Sequence, residues 1–413
     1  ASGGRLHVYL KCVVMWLTLI ALAGCQPTRD VSQQPDAAAV LQLLAEGEAP
    51  VFNDDLDVPS LKEALSRSLA FYGRLSPDAI LPFGEEQVAV AVLKESLEHF
   101  SKILESHPEK LKDSSFVVRE FDLYRTGDGR AKSLLVTGYY EPILPGRLKP
   151  SATHRHPIYR VPPDLVTVDL PQFGLQHCTE RIVGRVVGNH VVPYFSRAEI
   201  NGSGRLESYR LQLAWLEDPI SVFFLHIQGS GVIELEDGER LRVGYAGTNG
   251  RQYRSIGKYL LGMGAIAAQE MSLQAIRKYL QEHPERVDEV LNYNESYVFF
   301  RPLADGPLGS LGFGITAGRS IATDQHCFPK GALAFLVSEK PRLDGNGNQI
   351  GWEPLRRWVL NQDTGSGVRG PKRMDVFCGT GKPAEALAGP MKQPGECFFL
   401  LKKGSRIDAK TEH

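Results

Sequence analysis

The chain lacks several features that would narrow its function at once. It has no surplus of either charge: 47 Lys and Arg stand against 48 Asp and Glu, for a formal net charge of -1. A nucleic-acid binder needs a basic excess to replace the counterions on phosphate, so the balance counts against that class. The six cysteines include no Cys-x-x-Cys pair, which argues against a structural zinc site. Neither a metal nor a cofactor is expected. No apolar run reaches the length of a membrane-spanning helix. What remains is ordinary globular composition, 42% hydrophobic and 23% charged, which predicts packed cores. A length of 413 residues predicts two or three domains. The 41 glycines and 26 prolines point to many turns and short strands.

The longest apolar run starts after Lys11 and closes with Leu22-Ala23-Gly24-Cys25. It suits the h-region of a signal peptide, and the small residues before Cys25 resemble the lipobox of bacterial lipoproteins. In such proteins the signal is cut before the cysteine, whose thiol then carries a lipid. Residues 1–24 therefore read as signal peptide, Cys25 as the lipidation site and residues 25–58 as a tether, polar from Gln26 to Pro35. Gln26, where an Asp would favour inner-membrane retention, implies an outer-membrane lipoprotein facing the periplasm. The alternative is a core helix ending in a chance cysteine. The first ten residues hold no initiating Met, which leaves the start position open. Export permits disulfides. Cys178, Cys327, Cys378 and Cys397 would remain, with three possible pairings.

Ser60 and Glu63 form a capping-box pattern, predicting a helix with Leu61, Leu65 and Leu69 on one face. A second helix is expected over Glu85–Ser106, burying Leu93, Leu97, Phe100 and Leu104. Strands are then expected over Ser114–Tyr124 and Lys132–Tyr140. From Glu141 to Leu303 the chain reads as short strands, including Ile182–Val187, His190–Tyr194, Ile220–Ile227, Val232–Leu235 and Leu241–Tyr245. One helix, Ser272–His283, interrupts them. Strands return at Ala332–Val337, Arg356–Asn361, Met374–Phe377 and Cys397–Leu401. The fold class is mainly β with a few helices, and barrel-like.

Gln228-Gly229-Ser230-Gly231 lacks the first glycine of a nucleophile elbow, and Gly379-Thr380-Gly381-Lys382-Pro383 offers proline where a P-loop needs Ser or Thr. What survives is Gln362-Asp363-Thr364-Gly365, entering a glycine-rich turn, followed by Met374-Asp375-Val376-Phe377. Met374 and Val376 share one strand face, so Asp375 points the other way. With Met and Val in a core, Asp375 looks into a cleft or solvent. Read from the bare sequence, an ordinary surface aspartate on a half-buried strand is equally admissible.

Asp324 in Gly318-Arg319-Ser320-Ile321-Ala322-Thr323-Asp324, with Asp363 and Asp375, resembles the three-aspartate "3D" domain. Thr137-Gly138-Tyr139-Tyr140-Glu141-Pro142, His226-Ile227-Gln228-Gly229-Ser230-Gly231 and Gly244-Tyr245-Ala246-Gly247-Thr248-Asn249-Gly250 narrow the resemblance. So do Tyr253-Arg254-Ser255-Ile256-Gly257 and Met271-Ser272-Leu273-Gln274-Ala275-Ile276-Arg277. Together, from about Tyr124 to Leu401, they resemble the membrane-bound lytic murein transglycosylase A (MltA) family. The resemblance implies a double-psi β-barrel from residues 59–142 and 304–405. A smaller β-barrel domain, 143–303, would be inserted, with a glycan groove between the two. It implies Asp375, Asp363 and Asp324 as catalytic-site residues. Thr137, Tyr139, Tyr140, Gln228, Gly229, Ser230, Tyr245, Ala246, Gly247, Asn249, Tyr253 and Ser255 are its substrate-binding candidates. Amides, hydroxyls and aromatic faces suit sugars, although each tyrosine could equally be a half-buried strand aromatic.

The implied substrate is a peptidoglycan glycan strand, cut between N-acetylmuramic acid and N-acetylglucosamine. Asp375 would protonate the bridging oxygen, then deprotonate the muramoyl C6 hydroxyl as it closes on C1 to a 1,6-anhydro end. That requires a proton on Asp375 near neutral pH, against a reference value of about 3.9. Desolvation, Phe377 and like charge from Asp363 or Asp324 are the expected causes. Asp363 and Asp324 would organise the site or simply tie barrel loops together. Cys378 would pair with Cys397 or be packed alone. A monomer is expected, with cell-wall synthases as candidate partners. An inverting hydrolase of the same fold and a non-catalytic wall-binding lipoprotein are the alternatives.

Overall fold

The computed structural model describes residues 40–405, apart from residue 46 and the stretches 128–133, 174–180 and 366, together with 408–409. The signal peptide, Cys25 and Cys178 lie outside the described residues. No helix among the described residues is long and apolar enough to cross a membrane.

Six strands form a closed barrel: β1 (Leu134–Glu141), β2 (Ser320–Ala322), β3 (Leu333–Leu343), β4 (Gln349–Asp363), β5 (Arg373–Thr380) and β6 (Lys392–Lys402). Their order around it is β6, β3, β4, β2, β5, β1, and β1 pairs back to β6. The β2–β4 and β5–β1 pairs are parallel. The others are antiparallel. The two parallel pairs require crossing connections, which a simple meander barrel lacks. Strand Phe121–Thr126 extends the sheet beyond β6. The row facing the barrel interior is apolar, with Val136, Ile321, Leu336, Val359, Met374, Val376 and Phe399 all at 2% exposure or less, while Leu333, Phe335 and Leu360 on the other face of the strands belong to the same core.

Two helices, α1 (Val58–Tyr72) and α2 (Val90–Ser106), join this core through Leu61, Leu65, Leu93, Leu97, Phe100 and Leu104. The expected Ser60 cap is displaced. Asp57 is the N-cap and its carboxylate accepts from Ser60 N at 2.7 Å, because Pro59 suits the first turn, where no N–H is needed. α2 starts later than expected, since Glu86–Ala89 forms a hairpin with Ile80–Phe83 around Gly84, at φ 67°. The expected strand Ser114–Tyr124 is half helix: Asp113 caps Ser114–Glu120, and the strand begins at Phe121.

The insert carries three sheets among the described residues. One has four strands, Ile143–Pro145, Ser230–Glu234, Arg240–Thr248 and Val298–Pro302. Another has three, with Arg181–Val187 at its centre, and the last pairs His156–Tyr159 with Gln212–Leu216. The expected strand Ile220–Ile227 is a helix, α3 (Pro219–Gln228). Its continuous apolar run hides its period. The Asp218 cap, Pro219 and the left-handed Gly229 at its end are the signals that identify it. The helix Leu273–Glu282 lies where expected.

Cys378 and Cys397 are both thiols, so the pairing considered between them does not form. β1 separates β5 from β6 on that side of the barrel. Two strand spacings put backbones roughly 10 Å apart, beyond disulfide reach.

Candidate active site

One rung of the barrel carries the site. Asp363 on β4 faces Ala322 on β2, Ala322 faces Asp375 on β5, and Asp375 faces Thr137 on β1. Residues opposite one another in a ladder point to the same face, so the two aspartates flank a methyl group. Met374 and Val376 are buried in the barrel at 0% and 1%, which turns Asp375 outward. Asp324 follows Ala322 by two residues, at the mouth of the next loop. The three aspartates line one cleft of about 640 Å³ with Tyr139, Gln228, Gly229, Ser230 and Tyr245. Barrel and insert residues thus meet in its walls.

Each aspartate has a different setting. Asp375 accepts from the Thr137 hydroxyl, from Arg373 Nε at 3.0 Å and from Arg373 Nη2 at 3.2 Å. Asp363 accepts from Tyr139 OH at 2.8 Å, Ser310 N at 3.0 Å and Thr364 N at 2.9 Å. Burial nevertheless pushes its carboxyl up to about 6. Burial also acts to raise Asp324. There it is outweighed by hydrogen bonds from Gly370 N at 2.7 Å and His326 N at 3.0 Å, with His326 Nδ1 2.9 Å away, so the carboxyl sits below its ordinary range. Like charge was one of three causes expected to act on Asp375, beside desolvation and Phe377; its direct charged partner is a cation, Arg373.

Other expected residues divide. Thr137 touches Asp375 itself. Tyr253 is half-buried near Arg373 and Asp375, and burial raises its phenol. Tyr140 stands off the cleft wall: its ring packs with Ala384 and Ala388, and its N–H donates to Gln228 Oε1 at 2.9 Å. That bond orients Gln228. Asn249 is fully buried and donates to Phe195 O and Glu295 O while accepting from Tyr297 N. It ties connecting segments of the insert together. Ala246 and Gly247 sit at a bulge facing strand Val298–Pro302, and Ser255 caps the helix Ile256–Gly262. Arg373 was missed. It lies two residues before Asp375 on one strand, and period two alone places both on one face. Ser310 and Gly370 contribute only backbone amides, which leave no side-chain signal.

Comparison with known proteins places this geometry. Residues 135–301 match the "MltA specific insert domain" and residues 319–401 match the "3D domain". A Vibrio cholerae protein named membrane-bound lytic murein transglycosylase A is 31% identical over 286 residues, covering 68% of this chain and 69% of that protein. The chain belongs to the MltA family. The Escherichia coli K12 MltA is 34% identical over 267 residues, and the match spans 64% of its length and 64% of this chain. A membrane-bound lytic murein transglycosylase from Agrobacterium tumefaciens superposes with TM-score 0.73 at 29% identity, over 88% of this chain and 98% of that one. E. coli MltA with bound chitohexaose gives 0.65 at 25% identity, over 91% of this chain and 99% of the other. The MltA insert match contains α3, Gln228 and Tyr245, and the 3D match contains all three aspartates.

Proposed function

We propose that the chain is a peptidoglycan lytic transglycosylase that uses Asp375 first as acid and then as base. The observation that carries this reading is the rung Asp363–Ala322–Asp375–Thr137, which presents Asp375 to the cleft beside a small residue. A glycan strand lies in the cleft, and protonated Asp375 gives its proton to the bridging oxygen between N-acetylmuramic acid and N-acetylglucosamine. Arg373 and Thr137 donate to the carboxylate this leaves, a preorganised arrangement for charge that develops during the reaction. The carboxylate then takes the proton of the muramoyl C6 hydroxyl, which closes on C1. The nucleophile belongs to the substrate, and a well-oriented internal attack has effective molarities of about 10⁵ M or more.

Asp363 and Asp324 are held largely by backbone amides, of Ser310, Thr364, Gly370 and His326. Among the described residues Asp375 is held by side chains, which can rearrange as a sugar arrives. This difference favours Asp375 as the reacting group and the other two as organisers of the loops around it. A lipid on Cys25 at the outer membrane, facing the periplasm, completes the proposal. Mass spectrometry of digested sacculi tests it: transglycosylase products are lighter by one water than hydrolase products. Hydrated ends, or intact sacculi, would overturn the reading.

A further inference from the structure

A second cavity, of about 240 Å³, lies within the insert. Arg197, Asn292, Arg155, Asp288 and residues of α3 are in its wall. Arg197 is 2% exposed. Its Nε donates to Asn294 O at 3.0 Å, its Nη2 to Ser296 O at 2.5 Å and its Nη1 to His226 Nδ1 at 2.8 Å. Those are three of the five N–H groups a guanidinium carries. Among the described residues no carboxylate pairs with it, and the rings of Phe223 and Tyr297 lie against it at 4.7 and 5.2 Å. A buried charge without a counterion is costly unless something supplies one.

Asn292 adds a second unmet demand. Its Oδ1 is buried without a hydrogen-bond partner. The wall therefore offers guanidinium donors with spare N–H groups and an amide oxygen that needs a donor. Two cations, Arg155 and Arg197, face one acid, Asp288, across it. His156 adds no reliable charge, because burial lowers its affinity for a proton. His226, bonded to Arg197, also lines the main cleft, so this pair is the partition between the two spaces.

We propose that this cavity binds the C-terminal end of a short peptide, its carboxylate on Arg197 and Arg155 and its last amide N–H on the Asn292 carbonyl. Both demands are met by that one group: an anion with a donor one residue back. The ligand is identified as a wall peptide stem because the glycan strand carries such peptides, which rests on the transglycosylase reading above. The site would let the enzyme hold substrate by its peptide as well as by its sugars.

Calorimetric titration of the full chain with N-acetyl-D-alanyl-D-alanine and with its C-terminal amide tests this without any glycan. The acid is expected to bind saturably, and the amide about tenfold or more weaker, the scale of one lost charged hydrogen-bond pair. Asn292→Leu and Arg155→Ala should each weaken the acid while keeping the melting temperature, whereas Arg197→Lys probes the buried fork where larger changes risk the fold. Equal binding of acid and amide, binding unaffected by Asn292→Leu and Arg155→Ala, or no heat from either peptide at millimolar concentration would overturn the proposal. Anhydro products from sacculi are read in a separate assay, so failure here and failure of the catalytic reading are distinct results.

Discussion

Arg373 grips Asp375 with two nitrogens, Nε on one carboxylate oxygen and Nη2 on the other. The same guanidinium donates from Nη1 to Gly367 O at 3.0 Å, so it also fixes the glycine-rich turn after Asp363. With 37% of Arg373 and 13% of Asp375 exposed, the pair contributes little to stability, about 0.2–1 kcal/mol. Its weight falls on orientation.

Arg373→Leu is therefore expected to lower kcat about 10- to 100-fold, since a misplaced reacting group costs on that order. KM and melting temperature should change little, and Arg373→Lys should recover part of the loss. Steady-state release of anhydro-muropeptides measures both constants. An unchanged kcat would show that the fork is ornamental to the reaction.

Asp375→Asn removes the proton carrier but keeps the shape and one acceptor for Thr137. It is expected to fold normally and lose about 10²- to 10⁴-fold in turnover, the usual range for a general acid–base group. Circular dichroism and the sacculus assay, run side by side, decide it. Near-normal turnover would take Asp375 out of the mechanism.

Asp363 gives a pH signature in stability. In the unfolded chain its proton leaves near pH 3.9, but in the fold it is held to about 6. The unfolded state therefore binds fewer protons across this window, and native stability falls as pH rises through it. Below about pH 4 the contribution is fully retained, and above about 6 it is gone. Asp363→Asn has no proton to lose, so its melting temperature relative to wild type should rise between pH 4 and pH 7. A constant difference across that range would contradict the assignment.

Much of this site was legible in the chain. Asp363 precedes a glycine-rich turn, and Asp375 sits between core residues Met374 and Val376, so alternation alone turned it outward. The row joining them was not legible, because it depends on β2 pairing parallel with β4 and antiparallel with β5. Non-local register leaves no local pattern. α3 was misread for a different reason: Ile220, Val222, Phe223, Phe224 and Leu225 are all buried, and a helix buried all round shows no stripe. Asn249 looked like a sugar ligand by residue type, yet its four side-chain hydrogen bonds are spent on the backbone of its own domain.

Gly138 tests whether the cleft-facing strand depends on close approach. A Cβ there would stand 2.7 Å from Ala388 Cα and 3.1 Å from Cys378 Sγ. The helix Lys382–Ala388 would have to lift from β1 and β5. Gly138→Ala should cost about 1–3 kcal/mol, as overpacking usually does. Because Thr137 and Tyr139 flank it and hold Asp375 and Asp363, activity should fall as well. A variant with wild-type denaturant midpoint and turnover would show that the helix yields freely.

The thiols supply the last test. Burial pushes Cys378 up to about 12 and raises Cys397 further, so neither holds reactive thiolate at neutral pH. Iodoacetamide should leave both untouched in the native protein and label both once it is unfolded, with no reductant added. Peptide mapping of the alkylated chain reads this directly. Cys378→Ala should keep its activity, since Cys378 Sγ touches neither Asp363 nor Asp375 and its contact to Val376 O is long, 3.5 Å. Failure to label Cys378 and Cys397 in denaturant without reductant would mean that they are oxidised, and β5 and β6 would then have to approach each other across β1.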